Sequence, residues 1–183
     1  SAFLQKMVDE IKKEKFDVEN DNYVQIINQK NTERLAKMID PAKVFYGGKV
    51  DVENRHIEPT ILNEVSWQDE VMKEEIFGPI LPVLSYKNLS EAIEQIKLQP
   101  RPLACYVFTK NNQIKNKVLR EVSFGGGAVN EAIMHIANSN LPFGGVGSSG
   151  IGAYHGEAGF RAFSHYKSIL EKPTWLEPNL KYF

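Results

Sequence analysis

The chain has 183 residues, 42% of them hydrophobic, so it is long enough to bury a core without disulfides. Its 22 basic and 23 acidic residues give a net charge of −1 without a long single-sign block, which argues against a nucleic-acid or membrane-surface partner. One cysteine cannot form an internal disulfide, which favours a reducing, cytoplasmic compartment, and no apolar run approaches the ~20 residues that span a bilayer.

Helical and strand-like segments alternate, a pattern typical of an α/β domain with a mostly parallel twisted sheet flanked by helices. The first predicted helix has apolar residues at helical spacing: Phe3, Leu4, Met7, Val8 and Ile11. A second amphipathic helix is predicted from Tyr23, Ile26, Ile27 and Leu35. Both are expected to pack on a sheet.

The strands of the first half are short. Residues 43–46 predict a strand that stops at a Gly-Gly pair, a polar turn covers 51–55, and extended chain resumes at 59–62. Residues 80–86 are strand-like but contain Pro82, which cannot donate a ladder hydrogen bond. We therefore expect an edge, a bulge or a strand end there.

In the second half, Ser90 is predicted to cap a helix and Asn111 the next one. A buried strand is predicted at 103–109 and a short strand at 128–130. A glycine-rich loop then runs from 130 to 152. Such a loop can cradle a phosphate or wrap tightly against its own domain, and the absence of a Walker lysine and of a strand leading into the glycines argues against phosphate.

Several motifs occur in an ordered series along nearly the whole chain. Glu-Glu-Ile-Phe-Gly-Pro fills 74–79, Asn130 follows a Gly-Gly-Ala-Val strand, and Leu-Pro-Phe-Gly-Gly-Val-Gly fills 141–147. Tyr-His-Gly at 154–156 and Phe-Ser-His at 163–165 complete the series. Together they resemble the aldehyde dehydrogenase superfamily, and within it the class 3 and fatty-aldehyde branch.

The resemblance implies roles for six residues. Glu75 would hydrogen-bond the nicotinamide ribose hydroxyls of NAD or NADP, and Phe77 would form a wall against the nicotinamide ring. Four residues would form the aldehyde side of the active site: Asn130, Ile133, Phe143 and His155. His135 is a further candidate for the rim of the aldehyde tunnel. For His155, a general base and a purely structural histidine are the alternatives to a substrate contact.

The resemblance also implies an NAD(P)-dependent oxidation of an aldehyde to a carboxylic acid through a cysteine thiohemiacetal. The nucleophile and the general base would lie upstream of this chain, so none of its residues is assigned as catalytic. Cys105 lies in an apolar strand where its thiol should be buried and protonated. We therefore expect the chain alone to be inactive and to bind NAD poorly. No metal-ligand spacing occurs among its four histidines and one cysteine.

In this interpretation residues 1–162 are the catalytic-domain portion and 163–183 a C-terminal oligomerisation strand and tail. Alternating apolar residues predict the strand at 161–170, and an unpaired strand edge favours association, as in a homodimer. Two alternatives stay open: a naturally short, non-catalytic binding module, and an enzyme like glutamyl-phosphate reductase. The missing initiator methionine argues against the first, and the motif at 74–79 against the second.

Overall fold

The structure is a computed structural model that describes residues 1–16 and 22–175. By its internal contacts the chain divides into two compact units, Ser1–Lys87 and Asn88–Phe183. Helices and strands occur in both units, so the α/β class predicted from the sequence is confirmed. The functional bounds 1–162 and 163–183 remain a prediction.

The described part of unit 1 has two helices and five short strands: α1 Ala2–Glu14, α2 Gln29–Met38, β1 Val44–Tyr46, β2 Val50–Asp51, β3 His56–Ile57, β4 Thr60–Leu62 and β5 Ile80–Pro82. One sheet has the order β1-β4-β5, antiparallel between β1 and β4 and parallel between β4 and β5. β2 and β3 form an antiparallel pair. Pro82 is the last residue of β5, at the end of the sheet order, as its missing N–H group requires.

Two clusters of buried apolar side chains form the core of unit 1. Leu4 and Val8 of α1 pack with Ile61 of β4, which confirms the first predicted helix. The larger cluster joins helix α2 to the sheet: Leu35, Met38, Ile57, Leu62, Val65, Val71 and Ile80. Burial of one such side chain stabilises the fold by about 1.5–3 kcal/mol. Helix α2 is therefore held in place by the core.

The second predicted helix begins later than its apolar pattern indicated. Asn28 is its N-cap, and the side-chain oxygen of Asn28 accepts a hydrogen bond from the Asn31 N–H at 2.8 Å. Tyr23, Ile26 and Ile27 precede this cap in non-helical chain, so their assignment to the helix was wrong.

The described part of unit 2 has four helices and two strands: α3 Leu89–Lys97, β6 Ala104–Val107, α4 Asn112–Glu121, β7 Gly126–Val129, α5 Met134–Ala137 and α6 Gly156–Ala162. β6 and β7 pair in parallel. Across the described residues two strand pairs are parallel and two antiparallel, and the short connection between β2 and β3 permits only antiparallel pairing of those two strands. The sheets are thus more mixed than the sequence predicted.

Asparagine side chains begin both longer helices of unit 2. Asn111 caps α4, as predicted. Asn88 caps α3, and its side-chain oxygen accepts a hydrogen bond from the Ser90 N–H at 2.8 Å. The assignment of this cap to Ser90 was therefore wrong: Ser90 lies in the first turn.

The predicted strand at 161–170 does not form in this structure. Its first two residues belong to α6, and residues 164–173 are neither helix nor strand. A strand needs a hydrogen-bonded neighbour, and no described residue pairs with this segment. Residues 176–183 of the predicted tail lie outside the described part. Among the described residues no helix is both long and apolar enough to cross a membrane.

Candidate functional site

The segment from Glu74 to Pro79 connects a short 3-10 turn, Glu70–Met72, to β5. The Pro79 carbonyl accepts a hydrogen bond from the Thr60 N–H at 2.8 Å, which attaches the end of the segment to the sheet. Glu75 is exposed and the Phe77 side chain is 81% exposed. The two residues with predicted cofactor roles are thus accessible on an anchored segment.

Arg34 of α2 binds the start of this segment. Its Nη1 atom lies 3.0 Å from Oε1 of Glu74 and 3.4 Å from the carbonyl oxygen of Glu75. Its Nη2 atom donates to the carbonyl of Ile76 at 2.7 Å. One guanidinium group therefore holds three consecutive residues, a role that no motif in the sequence indicated.

Phe77 has a left-handed backbone conformation, with φ of +47°. A large non-glycine residue adopts this conformation only when its surroundings impose it. On the far side of Phe77, Gly78 packs so closely on Leu35 that an added Cβ would lie 2.6 Å from Cδ1 of Leu35. The strained residue lies between two points held by helix α2.

An open cleft of about 670 Å³ adjoins the segment in unit 1. Its lining comprises residues 23–27, Asn31, Arg34, Glu74, Glu75 and 77–79. Val24 and Ile27 at this cleft are 86% and 78% exposed. An accessible carboxylate suits vicinal hydroxyls and an accessible ring suits a planar heterocycle, so the residues fit the nicotinamide half of a dinucleotide.

Asn130 follows β7 with φ of +56°, a conformation that asparagine tolerates. Its side-chain oxygen accepts from the Thr109 N–H at 2.8 Å, and its side-chain nitrogen donates to the Thr109 carbonyl at 3.0 Å. The amide thus joins the ends of β6 and β7 as a further backbone pair would. Its hydrogen bonds show a positioning role, and its place on the aldehyde side of the active site remains a prediction.

Phe143 lies in a cluster of aromatic rings in unit 2. It forms two hydrogen bonds with Tyr154 through the backbone, at 2.8 and 2.9 Å, and their rings meet edge to face. The His155 ring stacks on Phe143 with 5.9 Å between centroids and 24° between planes. Two residues predicted for the aldehyde side, Phe143 and His155, are therefore in contact.

His135 belongs to the same cluster and is only 8% exposed. Its ring lies 5.6 Å from that of Tyr106 and 6.1 Å from that of Phe143. Its interior position is incompatible with the predicted place at a tunnel rim. Ile133, by contrast, is 66% exposed with φ of +67°.

The glycine-rich loop is folded tightly on itself. A Cβ at Gly144 would lie 2.0 Å from the carbonyl oxygen of Gly152, and one at Gly145 would lie 2.1 Å from that of Ser149. The Ser149 hydroxyl accepts from the Val146 N–H at 2.9 Å. These contacts favour the structural interpretation of the glycines over a phosphate cradle.

Cys105 lies on β6 and is half-buried. Burial raises the pKa of its thiol, because desolvation disfavours the thiolate. A protonated thiol is a poor nucleophile, which agrees with its assignment as inert. Among the described residues, no group of three or more His, Cys, Asp or Glu side chains could hold a metal ion.

The chain belongs to the aldehyde dehydrogenase family, whose model it matches over residues 1–169. Aldehyde dehydrogenase family 3 member A2 of Mus musculus is 47% identical over 151 residues, covering 82% of this chain and 31% of that protein. The dimeric NADP-preferring aldehyde dehydrogenase of Bos taurus is 43% identical over 160 residues, covering 87% of this chain and 67% of that one. These relatives confirm the class 3 branch.

A solved structure supports the same assignment. The substrate-bound state of Staphylococcus aureus AldH matches with a TM-score of 0.81 and 41% identity, covering 96% of this chain and 40% of that chain. The chain spans about a third of the length of most of the curated relatives it matches, with 34%, 31% and 39% in three of them.

Proposed function

We propose that the complete protein carrying these residues is an NAD(P)-dependent aldehyde dehydrogenase that oxidises an aldehyde to a carboxylic acid. The observation that carries the proposal is the joint exposure of Glu75 and Phe77 on one anchored segment beside the cleft of unit 1. Membership of a family of oxidoreductases supports the same conclusion.

Glu75 and Phe77 would hold the nicotinamide end of the cofactor. The carboxylate of Glu75 accepts hydrogen bonds from both ribose hydroxyls, and the ring of Phe77 limits the positions open to the nicotinamide. When bound, the dinucleotide supplies the hydride acceptor. The name of the Bos taurus relative supports NADP, and the proposal includes both NAD and NADP.

In unit 2, four residues are proposed to contact the aldehyde: Asn130, Ile133, Phe143 and His155. The stack of Phe143 and His155 supplies an apolar wall suited to the carbon chain of an aldehyde. Asn130 holds the ends of β6 and β7 in register, and the exposed Ile133 adds apolar surface. The stacking on Phe143 favours a wall contact for His155 over a general base.

The nucleophile of the proposed reaction is a residue other than Cys105. The attacking thiolate would add to the carbonyl carbon and give a thiohemiacetal, which would become a thioester by losing a hydride to NAD(P)+ and a proton from its hydroxyl group; hydrolysis of the thioester would release the acid and the free thiol. The raised pKa of Cys105 works against this role. We therefore propose that the 183-residue chain alone is inactive.

The test is the rate of NAD(P)H formation from aliphatic and aromatic aldehydes by the full-length gene product, with the 183-residue chain alone as control. We expect activity from the full-length product only. A full-length product that oxidises no aldehyde with either cofactor would favour the alternative of a binding module. Activity in the chain alone would overturn the assignment of its nucleophile to another segment.

The proposal extends to assembly and location. A homodimer is supported by the name of the Bos taurus relative and by the row of exposed apolar side chains that follows α6. A cytoplasmic location is supported by the single, free Cys105. Gel filtration of the full-length product and microscopy of a tagged form test these two points.

A further inference from the structure

Glu75 and Phe77 can serve a cofactor only if their backbone is fixed, because exposed side chains on a mobile loop hold no single orientation. The conformation of the 74–79 segment itself does not provide this rigidity. Phe77 has an unfavourable φ of +47°, and its side chain is 81% exposed. The rigidity must come from neighbouring elements of unit 1.

We propose that Arg34 is the positioning residue that fixes Glu75 and Phe77 for the nicotinamide, a role that rests on the dehydrogenase function proposed above. Nη1 of Arg34 lies 3.4 Å from the carbonyl oxygen of Glu75, and Nη2 lies 2.7 Å from that of Ile76. The guanidinium group thus binds the backbone of one cofactor residue and of the residue just before the other.

Arg34 is itself held in position. Its Nε atom lies 3.4 Å from Oδ1 of Asn31, one turn earlier on α2, and its Nη1 atom pairs with Glu74 at 3.0 Å. The neighbouring Leu35 is fully buried and packs against Gly78. Helix α2 therefore fixes the chain on both sides of Phe77 and imposes its left-handed conformation.

The geometry requires an arginine. The planar guanidinium group directs several N–H donors at fixed angles, and here two nitrogens reach three acceptors on consecutive residues. A lysine carries one compact ammonium group and cannot reproduce this fork. In Arg34→Lys we therefore expect the 74–79 segment to keep a positive charge nearby but to lose its fixed backbone conformation.

The first experiment measures kcat and KM for NAD(P)+ in the full-length gene product with Arg34→Lys and Arg34→Gln. The matched control is Lys37→Gln, which removes a positive charge from the exposed face of the same helix. We expect kcat to fall by about 10- to 100-fold in both Arg34 variants, as displacement of reacting groups by ~1 Å does. We expect little change in KM, and rates close to wild type in the control.

The second measurement is the primary kinetic isotope effect with an aldehyde deuterated at its carbonyl carbon. If the nicotinamide is misplaced, hydride transfer slows and the isotope effect on kcat rises in both Arg34 variants. A loss of folded protein alone would lower the apparent rate and leave the isotope effect unchanged. An unchanged isotope effect in Arg34→Lys would overturn the proposal, and so would wild-type kcat in Arg34→Gln.

Amide hydrogen exchange of the 74–79 segment separates this inference from the proposed function. We expect faster exchange there in Arg34→Lys than in wild type, and unchanged exchange in Lys37→Gln. If wild type has no dehydrogenase activity but the exchange result holds, the proposed function fails and Arg34 still fixes the segment. If wild type is active and exchange is unchanged in Arg34→Lys, the positioning role fails.

Discussion

At the scale of single residues, Asn130 extends a strand pair with its side chain. Its amide oxygen and nitrogen pair with the N–H and carbonyl of Thr109, as two backbone groups would. The positive φ that turns the chain away after β7 suits asparagine better than a β-branched residue. The residue that the resemblance assigned to the aldehyde side of the active site therefore has a structural role that is independent of any substrate.

Asn130→Ala should lower the free energy of unfolding by about 1–2 kcal/mol, because it removes two hydrogen bonds worth about 1 kcal/mol each. Urea denaturation followed by circular dichroism measures the change. The control is Asn140→Ala, since Asn140 donates a hydrogen bond to Asn138 through its backbone N–H, which the substitution keeps. Equal stability of the two variants would contradict the structural role of Asn130.

The carboxylate of Asp69 should make unit 1 sensitive to acid. A hydrogen bond from Lys43, with further ones from the N–H and hydroxyl of Ser66, lowers the pKa of Asp69 from 3.8 to about 2. A depressed pKa in the folded state contributes stability that is present above pH 3.8 and lost as the pH falls towards 2.

Wild type should therefore be more stable than Asp69→Asn at pH 7, and the difference should shrink between about pH 4 and pH 2. Urea midpoints across this range provide the measurement. Lys43→Gln should weaken the dependence, because it removes the largest cause of the shift. A stability difference between wild type and Asp69→Asn that stays constant with pH would show that these contacts do not stabilise the ionised form of Asp69.

At the scale of elements, local signals predicted some boundaries well. A Gly-Gly pair predicted the end of β1, and a proline before extended chain predicted β4. An asparagine before a run of helical periodicity predicted the cap of α4. The start of α2 was predicted too early, because the apolar spacing before Asn28 suggested helix, whereas the side chain of Asn28 caps the helix at that residue. Ile26 instead donates its N–H to the carbonyl of Arg55 at 2.8 Å, a contact between residues far apart in sequence.

Motifs in the sequence indicated some residues of the candidate site and missed others. The 74–79 motif pointed to Glu75 and Phe77, which lie on one accessible segment, and the motifs at 141–147 and 154–156 pointed, through the family resemblance, to Phe143 and His155, which are in contact. Arg34 was missed because two of its three acceptors are backbone carbonyl groups 41 and 42 residues away, which carry no side-chain signal, and the third, the carboxylate of Glu74, is 40 residues away. The burial of His135 likewise depends on Tyr106, a residue of another element.

The position of Cys105 on β6 should make it slow to react. Its raised pKa reduces the thiolate fraction, and its half-buried position limits access by reagents. Alkylation by iodoacetamide at pH 7.5, followed by mass spectrometry, should be slower in the folded chain than in urea. Equally fast labelling of the folded chain and of the chain in urea would indicate an exposed thiol. It would contradict the argument that Cys105 is not the nucleophile.

At the scale of the whole molecule, the segment after α6 presents an unusual row of exposed apolar side chains: Phe163, Tyr166, Ile169, Leu170 and Trp175. No described residue forms a ladder with this segment. Exposed apolar side chains and unpaired backbone groups favour association with another chain. This surface is the part of the structure most consistent with the proposed homodimer.

The 183-residue chain should therefore form dimers or larger species as its concentration rises. Light scattering on wild type and on the double variant Phe163→Ser/Ile169→Ser measures this, and the variant should shift towards monomer. The control is Lys167→Ser, which changes an exposed basic residue of the same segment. A wild-type chain that is monomeric at every concentration would contradict the association.

Glu75 is the residue on which the proposed nicotinamide side of the site depends. Its carboxylate is the group expected to accept hydrogen bonds from the ribose, and hydrogen bonds to charged groups contribute about 1.5–3 kcal/mol. Glu70, an exposed carboxylate of the preceding 3-10 turn that pairs with Lys73, offers a matched control.

The most direct test is kcat/KM for NAD(P)+ in the full-length gene product with Glu75→Gln beside Glu70→Gln. We predict a fall of about 10- to 100-fold for Glu75→Gln, the change that corresponds to the loss of such hydrogen bonds, and a value near wild type for Glu70→Gln. The same kcat/KM in both variants and in wild type would contradict the assignment of this segment to the cofactor.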